Sequence, residues 1–179
     1  MKEADDGMLV QQCRQGDRVA CEQLVLRYQK PVFNAALRML RNAEDARDVA
    51  QTTFMKVFEH LADYDANRKF YSWIYRIALN EAVNALGSRR SFEQISGDEA
   101  DETPGPERQA ESEQMSRAIQ DALMTIGPEQ RAAIVLRHFL HLSYQDMGEI
   151  LMVPEKTVKS RLYEARQLLR DTLSEHGST

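Results

Sequence analysis

Two stretches of this 179-residue sequence hold side chains whose types and spacing suit nucleic acid. The first, FYSWIYRIALN at residues 70–80, sets Arg76, Asn80 and then Asn84 four apart, directly behind Arg68 and Lys69. Residues four apart share one side of a helix. Aromatic rings stack on unstacked bases, amides bond their exposed edges and cations follow the phosphates, so this mixture suits single-strand capture better than duplex reading. Trp73 shares an arc with Phe70, Ile74 and Ile77 and reads as core packing. Tyr75, Arg76 and Asn80 lie off that arc and are expected to face the strand. Asn84 drifts back towards the arc's edge, and Arg89 and Arg90 are expected phosphate contacts.

The second stretch begins at residue 155. With Val158 set at zero, Leu162, Ala165, Leu169 and Leu173 fall within roughly 60° of it as a helical core stripe. Lys156, Lys159, Ser160, Tyr163, Arg166, Gln167 and Arg170 gather between roughly 80° and 200°, while Glu155 and Glu164 sit outside the two edges. An acid-free arc of donors suits phosphates and base edges in a major groove. Upstream, a short helix at residues 144–151, capped by Ser143, and the turn Met152-Val153-Pro154 complete a helix-turn-helix layout.

Catalytic chemistry has no comparable signal. His138 and His141 lie three apart, but no cysteine or acid completes a ligand set, so a solvated or helix-packing pair and no metal are expected. Without a phosphate-cradling glycine-rich loop or a nucleophile motif, the chain is expected to have no cofactor, no small-molecule substrate and no enzymatic activity. Cys13 and Cys21, the only cysteines, suit a reducing compartment better than a disulfide framework and read as small buried residues. No apolar run nears the ~20 residues of a membrane span, and MKEADDGMLVQQ has no basic region leading into an apolar one, so a cytoplasmic protein is expected.

Net charge is −5, which argues against a nucleic-acid partner until its distribution is considered. Residues 93–112 hold seven acids against Arg108 alone, whereas residues 66–92 and 156–170 each carry five basic side chains against one acid. The segment at 94–112 also contains Pro104, Gly105 and Pro106 and almost no large apolar residue, so it reads as a flexible acidic linker. On either side apolar residues recur at three and four, without sustained period-two alternation. The expected fold is therefore all-α: a first helical domain over residues 1–93, the linker, and a second over residues 113–179. In the first, one amphipathic run spans Leu24 to Leu40, another about residues 43–61, and a third is expected to stop near Gly87.

Taken in order, LVQQCRQGDRVACEQLVLRYQKPVF, DARDVAQTTFMKVFEHL, FYSWIYRIALNEAVNAL and GPEQRAAIVLRHFLHLSYQDMGEILMVPEKTVKSRLYEARQLL resemble an extracytoplasmic function (group 4) sigma factor of bacterial RNA polymerase, closest to the sigma-E-like type. The resemblance implies a sigma region 2 helical bundle, which docks on core polymerase and captures the melted minus 10 strand, and a region 4 helix-turn-helix that reads the minus 35 duplex. DARDVAQTTF matches the helix that grips the beta-prime coiled coil, with Asp48 and Gln51 at its D-x-x-Q positions and Asp45, Thr52 and Met55 beside them. Arg68, Lys69, Tyr75, Arg76, Asn80, Asn84, Arg89 and Arg90 are the implied minus 10 set. Lys156, Thr157, Lys159, Ser160, Arg161, Tyr163, Arg166 and Arg170 are the implied minus 35 set. Implied partners are the beta-prime and beta subunits of core polymerase, promoter DNA both duplex and melted, and an anti-sigma factor; the linker is implied to thread the RNA exit path.

Four positions depart from the family pattern. Thr52 stands where glutamate is usual, Lys156 replaces a glycine, Glu164 takes a place often basic, and Gly148 replaces an alanine. In a helix that glycine is expected to cost ~1 kcal/mol relative to alanine. Two other functions fit parts of the sequence: a stand-alone helix-turn-helix regulator, which predicts a dimer on a palindrome and leaves the first domain unexplained, and a sigma mimic that titrates an anti-sigma factor, which has no need of two basic faces.

Overall fold

The computed structural model describes residues 5–96 and 111–176, with side chains for residues 5–89 and 117–174. Its elements are helical, and no strand occurs among the described residues. Helix α1 (Asp6–Arg14) turns into α2 (Arg18–Leu40) through Gly16, whose φ of +91° a side chain would strain. Asp17 then caps α2, accepting from the N–H groups of Val19 and Ala20. Asn42 does the same for α3 (Ala43–Glu59) through Glu44 and Asp45. A 3-10 turn (Leu61–Asp63) and a polar loop lead to α4 (Phe70–Ser96). Helices α2, α3 and α4 pack on one another and bury Leu24, Val32, Met39, Val57 and Ile74 between them. Each such side chain contributes roughly 1.5–3 kcal/mol by leaving water.

The C-terminal half comprises α5 (Glu111–Thr125), α6 (Pro128–Ile134), a π-helical turn (Val135–Phe139), α7 (Tyr144–Leu151) and α8 (Glu155–His176). Pro128 opens α6, where its missing N–H is no loss. Ser143 caps α7 through the Asp146 N–H at 3.1 Å, and its hydroxyl donates to Asp146 Oδ2 at 2.6 Å. At the far end Met152 adopts φ 56°, and Val153 N–H donates to the Gly148 carbonyl at 3.1 Å. The backbone comes so close there that a Cβ on Gly148 would stand 2.9 Å from the Val153 oxygen.

The two halves pack together, α4 against α7 and α2 against α5 and the π turn. Arg131 lies at the second junction, 5% exposed. Its guanidinium donates to the carbonyls of Leu123, Met124 and Ile126 at the end of α5 and to that of Met39 near the end of α2. A helix C-terminus carries partial negative charge, so two of them compensate this buried cation.

Three sequence expectations are corrected. Helix α4 runs through Gly87 to Ser96: a glycine weakens a helix without ending it, and Ala85 and Leu86 still pack on the core. The sequence reads as one helix from Glu129 to Phe139 behind Pro128, but it loosens at Val135 into the π turn, where Leu140 N–H reaches five residues back to Val135. Cys13 and Cys21 form a disulfide, because the α1–α2 corner brings their Cα atoms to 5.0 Å. No helix among the described residues is long and apolar enough to cross a membrane.

Candidate nucleic-acid interface

Helix α4 begins one residue after Lys69, so the loop and the first turns of the helix form one surface. Lys69 is exposed, with Nζ 2.7 Å from Asp146 Oδ1 and 5.5 Å from the centre of the Tyr71 ring. The hydrogen bond from Lys69 to Asp146 holds the ammonium well above the usual lysine range. Burial pushes the Asp146 carboxyl up, but hydrogen bonds from Lys69, Ser143 and Tyr71 outweigh that and hold it below its ordinary value. Arg68 approaches Asp65 at 3.7 Å, and its carbonyl accepts from the Tyr64 hydroxyl. Arg76 donates to the Glu149 carbonyl at 3.0 Å, and among the described residues its buried Nε has no hydrogen-bond partner. Asn80 and Asn84 are exposed and line a cleft of about 390 Å³ with Pro128, Glu129 and Ile150 of the other half.

Arg89 turns towards Asp45 at 3.9 Å; the Arg90 side chain lies outside the described residues. Tyr75 is a correction: it is 7% exposed, packed edge-on to Tyr28, and burial pushes its hydroxyl up to about 12. Helix α4 is covered by α2, α3 and α7, so its buried arc is wider than one stripe and takes in Tyr75 beside Ile74, Ala78 and Leu79. Trp73 packs between Tyr64 and Phe70 at 5.1 and 5.9 Å, the core role expected of it. Tyr71, missed in the sequence, is the aromatic beside Lys69. Of two adjacent aromatics at a helix start, one must leave the core stripe, and Phe70 is the buried one.

On α3, Asp48, Gln51 and Met55 are exposed in succession, Met55 at 62%, while Asp45 and Thr52 are half-buried. Beside them runs an apolar groove of about 760 Å³ between α2 and α3, lined by Val25, Phe33, Ala50, Phe54, Met55 and Phe58, with Gln51 and Arg47 at its edge. Phe54 and Phe58 stack at 6.5 Å. The periodicity of residues 43–61 puts both rings on the apolar side of the helix, yet Phe58 is 38% exposed. The excess of apolar residues beyond the Val49–Val57 stripe was the available signal.

The α8 face follows its sequence reading closely. Val158, Leu162 and Ala165 are buried; Lys156, Lys159, Ser160, Arg166 and Arg170 are exposed, and Tyr163 is 65% exposed. Thr157 and Gln167 are half-buried, Gln167 accepting from Arg170 at 3.3 Å. Lys159 reaches Glu155 at 3.5 Å and lies 5.5 Å from the Tyr144 ring centre. Arg161 departs from the implied set: it turns inward to Glu129 at 2.7 Å, on the core edge where its helical angle puts it. Glu164 accepts from Ser160 at 3.2 Å and Gln130 at 3.4 Å. His138 stands 3.4 Å from Arg166, and burial, then the Arg166, Arg137 and His141 charges, lower its pKa. No group of three or more His, Cys, Asp or Glu side chains that could hold a metal occurs among the described residues.

Sigma-70 region 2 matches residues 24–92, and Sigma-70, region 4 matches residues 116–169. The chain is 30% identical to the RNA polymerase sigma-H factor of Pseudomonas aeruginosa over 97% of its length and 96% of that protein. It is 32% identical to the ECF RNA polymerase sigma-E factor of Haemophilus influenzae over 94% and 95% of the two chains. In structure it is similar to CnrH, solved in complex with the cytosolic domain of CnrY, with a TM-score of 0.73, 26% identity, and 95% and 97% of the two chains covered. With both regions present in this order and relatives matched along their whole length, the chain belongs to the extracytoplasmic function sigma factors, of the sigma-E-like type.

Proposed function

We propose that the chain is a promoter-specificity subunit, which docks on core RNA polymerase through α3 and the α2–α3 groove, captures melted promoter strand on the α4 face and reads upstream duplex with α8. The observation that carries this reading is the exposed row of Lys156, Lys159, Ser160, Tyr163, Arg166 and Arg170 on α8, with Glu155 and Glu164 at its two edges, presented by a helix-turn-helix whose turn is closed by Met152. In the N-terminal half Lys30, Arg47 and Gln51 border an apolar groove, a polar rim around an apolar centre such as protein partners use. Polymerisation chemistry belongs to the polymerase; this chain supplies address and strand opening, in the cytoplasm, without cofactor or small-molecule substrate. The acidic segment between the halves would mimic phosphates along the RNA exit path. A partner holding the protein in check is supported by the similarity to CnrH, solved in complex with the cytosolic domain of CnrY. A stand-alone dimeric regulator would leave α1–α4 without a role.

The test is transcription by purified core polymerase on fragmented genomic DNA with and without the protein, mapping RNA 5′ ends. Discrete new starts sharing two spaced upstream motifs are expected. Lys159→Glu should retain core binding and lose at least about 90% of those transcripts, since it puts an anion where a phosphate or base edge is met. Loss of core affinity in that variant would refute the division of labour between the halves.

A further inference from the structure

In the reducing compartment proposed above, a disulfide is seldom a permanent staple; such bonds are usually transient or redox-sensing. The Cys13–Cys21 bond joins the last turn of α1 to the opening turn of α2 across the Gly16 corner. Cys13 is buried in the core and Cys21 is half-buried, so a small reagent reaches one sulfur and the other stands behind it. The contacts of α1 give the bond a route to the strand face. Arg14, next to Cys13, donates to the Ala62 carbonyl in the 3-10 turn that leads into the loop at residues 65–69. At the other end of α1, Asp6 accepts from Arg27 and from the Tyr28 hydroxyl, and the Tyr28 ring lies 5.2 Å from that of Phe70, the first residue of α4. Phe70 packs at 5.7 Å on Tyr64, whose hydroxyl donates to the Arg68 carbonyl. Helix α1 is thus the rear support of the loop that presents Arg68 and Lys69. At nine residues it is too short to persist without tertiary contacts, so its seating depends on the buried Leu9 and Val10 and on the bond.

We propose that Cys13 and Cys21 are a reversible thiol switch, closed by a hydroperoxide, whose closure seats α1 and stiffens the loop that holds melted strand. The inference rests on the strand-binding reading of the α4 face above. The Cys21 thiolate attacks one peroxide oxygen and the O–O bond breaks: the sulfur becomes a sulfenic acid, and the other oxygen leaves as hydroxide or alkoxide and takes up the proton Cys21 had given to solvent. The Cys13 thiolate then attacks that sulfur, the S–S bond forms, and the sulfenic hydroxyl leaves and is protonated to water. In sum two thiols lose two protons and two electrons, and the hydroperoxide is reduced to water and an alcohol, or to two waters. A dithiol reverses the step by exchange and is itself oxidised to a disulfide. With the bond open, α1 is held by packing alone and leaves its seat more often, and the loop loses Arg14 from the Ala62 carbonyl. The α2–α3 groove is lined by no residue of α1, so polymerase docking is indifferent to the switch.

The experiment uses the full chain, reduced with dithiothreitol and then treated with hydrogen peroxide, which is removed by catalase before core polymerase is added. Thiol alkylation followed by mass spectrometry reports the bond, and permanganate footprinting on a mapped promoter reports opening. Peroxide should form the bond and dithiothreitol should break it. The oxidised chain should open the promoter about threefold faster or more, in proportion to the fraction of chains with α1 seated, at unchanged core affinity. Cys13→Ser and Cys21→Ser should each behave as the reduced wild type under both treatments; they keep the exposed Met8 and Met55, so any effect of methionine oxidation would survive in them. Failure of peroxide to form the bond, equal opening by the two redox forms, or a redox effect on core affinity instead of opening overturns the proposal. The underlying reading is tested separately by Lys69→Ala in the oxidised, polymerase-bound chain. If opening is unaffected there, the strand assignment fails and the proposal with it; if opening is lost while the two redox forms of the wild type open alike, only the proposal fails.

Discussion

Alanine ordinarily strengthens a helix where glycine stood, by about 1 kcal/mol. At Gly148 the structure reverses the sign, because the added Cβ would meet the Val153 carbonyl at 2.9 Å, and that oxygen is backbone rather than a yielding side chain. Gly148→Ala is therefore expected to destabilise the C-terminal half by about 1–3 kcal/mol, the usual range for forced overpacking. Urea unfolding of the full chain checks it, and a gain in stability would show that the turn relaxes at little cost. The sequence reading missed this because propensity describes a glycine's own backbone and not what approaches it from five residues away. Tyr75 failed for a related reason: its helical angle was right, and what covers that angle is another helix.

Among the elements, legibility followed how many neighbours each helix has. Helix α8 leaves one broad side to solvent, so a single stripe divided its residues correctly from Val158 to Leu169, but Leu173 at the stripe's end is 40% exposed and Arg161, assigned to the DNA set, turns to the core edge. Helix α4 is enclosed by α2, α3 and α7, so its stripe could not be drawn from periodicity alone. The Ser143 cap was read from the sequence and bonds the Asp146 N–H as expected, whereas the caps at Asp17 and Asn42 emerged only in the structure. The bond tying α1 to α2 was not legible, because two cysteines eight apart meet only if the corner between their helices is tight. Closing so short a loop stabilises by about 2–3 kcal/mol in the chain-entropy account. Reductant should lower the unfolding midpoint accordingly, and Cys13→Ser should abolish the response. Between the π turn and α8, His138 meets Arg166, and burial and its cationic neighbours depress its pKa. The folded state then binds fewer protons than the unfolded one, so the stabilisation is complete above the ordinary value of 6.5 and declines as pH falls through it. His138→Asn should flatten the fall in melting temperature between about pH 7.5 and 5.5; an unchanged slope would place the titration elsewhere.

For the whole molecule, the pattern of contacts between the halves matters more than their number. Arg41–Asp121 is a half-exposed pair that salt screens and water can replace, whereas Lys69, itself exposed, pairs with the buried carboxylate of Asp146. Arg131 is a different kind of joint. Three of its acceptors, on Leu123, Met124 and Ile126, belong to its own half, and the Met39 carbonyl belongs to the other. Parting the halves therefore never strands a naked charge in an apolar seam: the guanidinium stays seated, and one backbone oxygen exchanges an N–H for a water molecule. Acid does not loosen this joint, because carbonyls do not titrate in the physiological range.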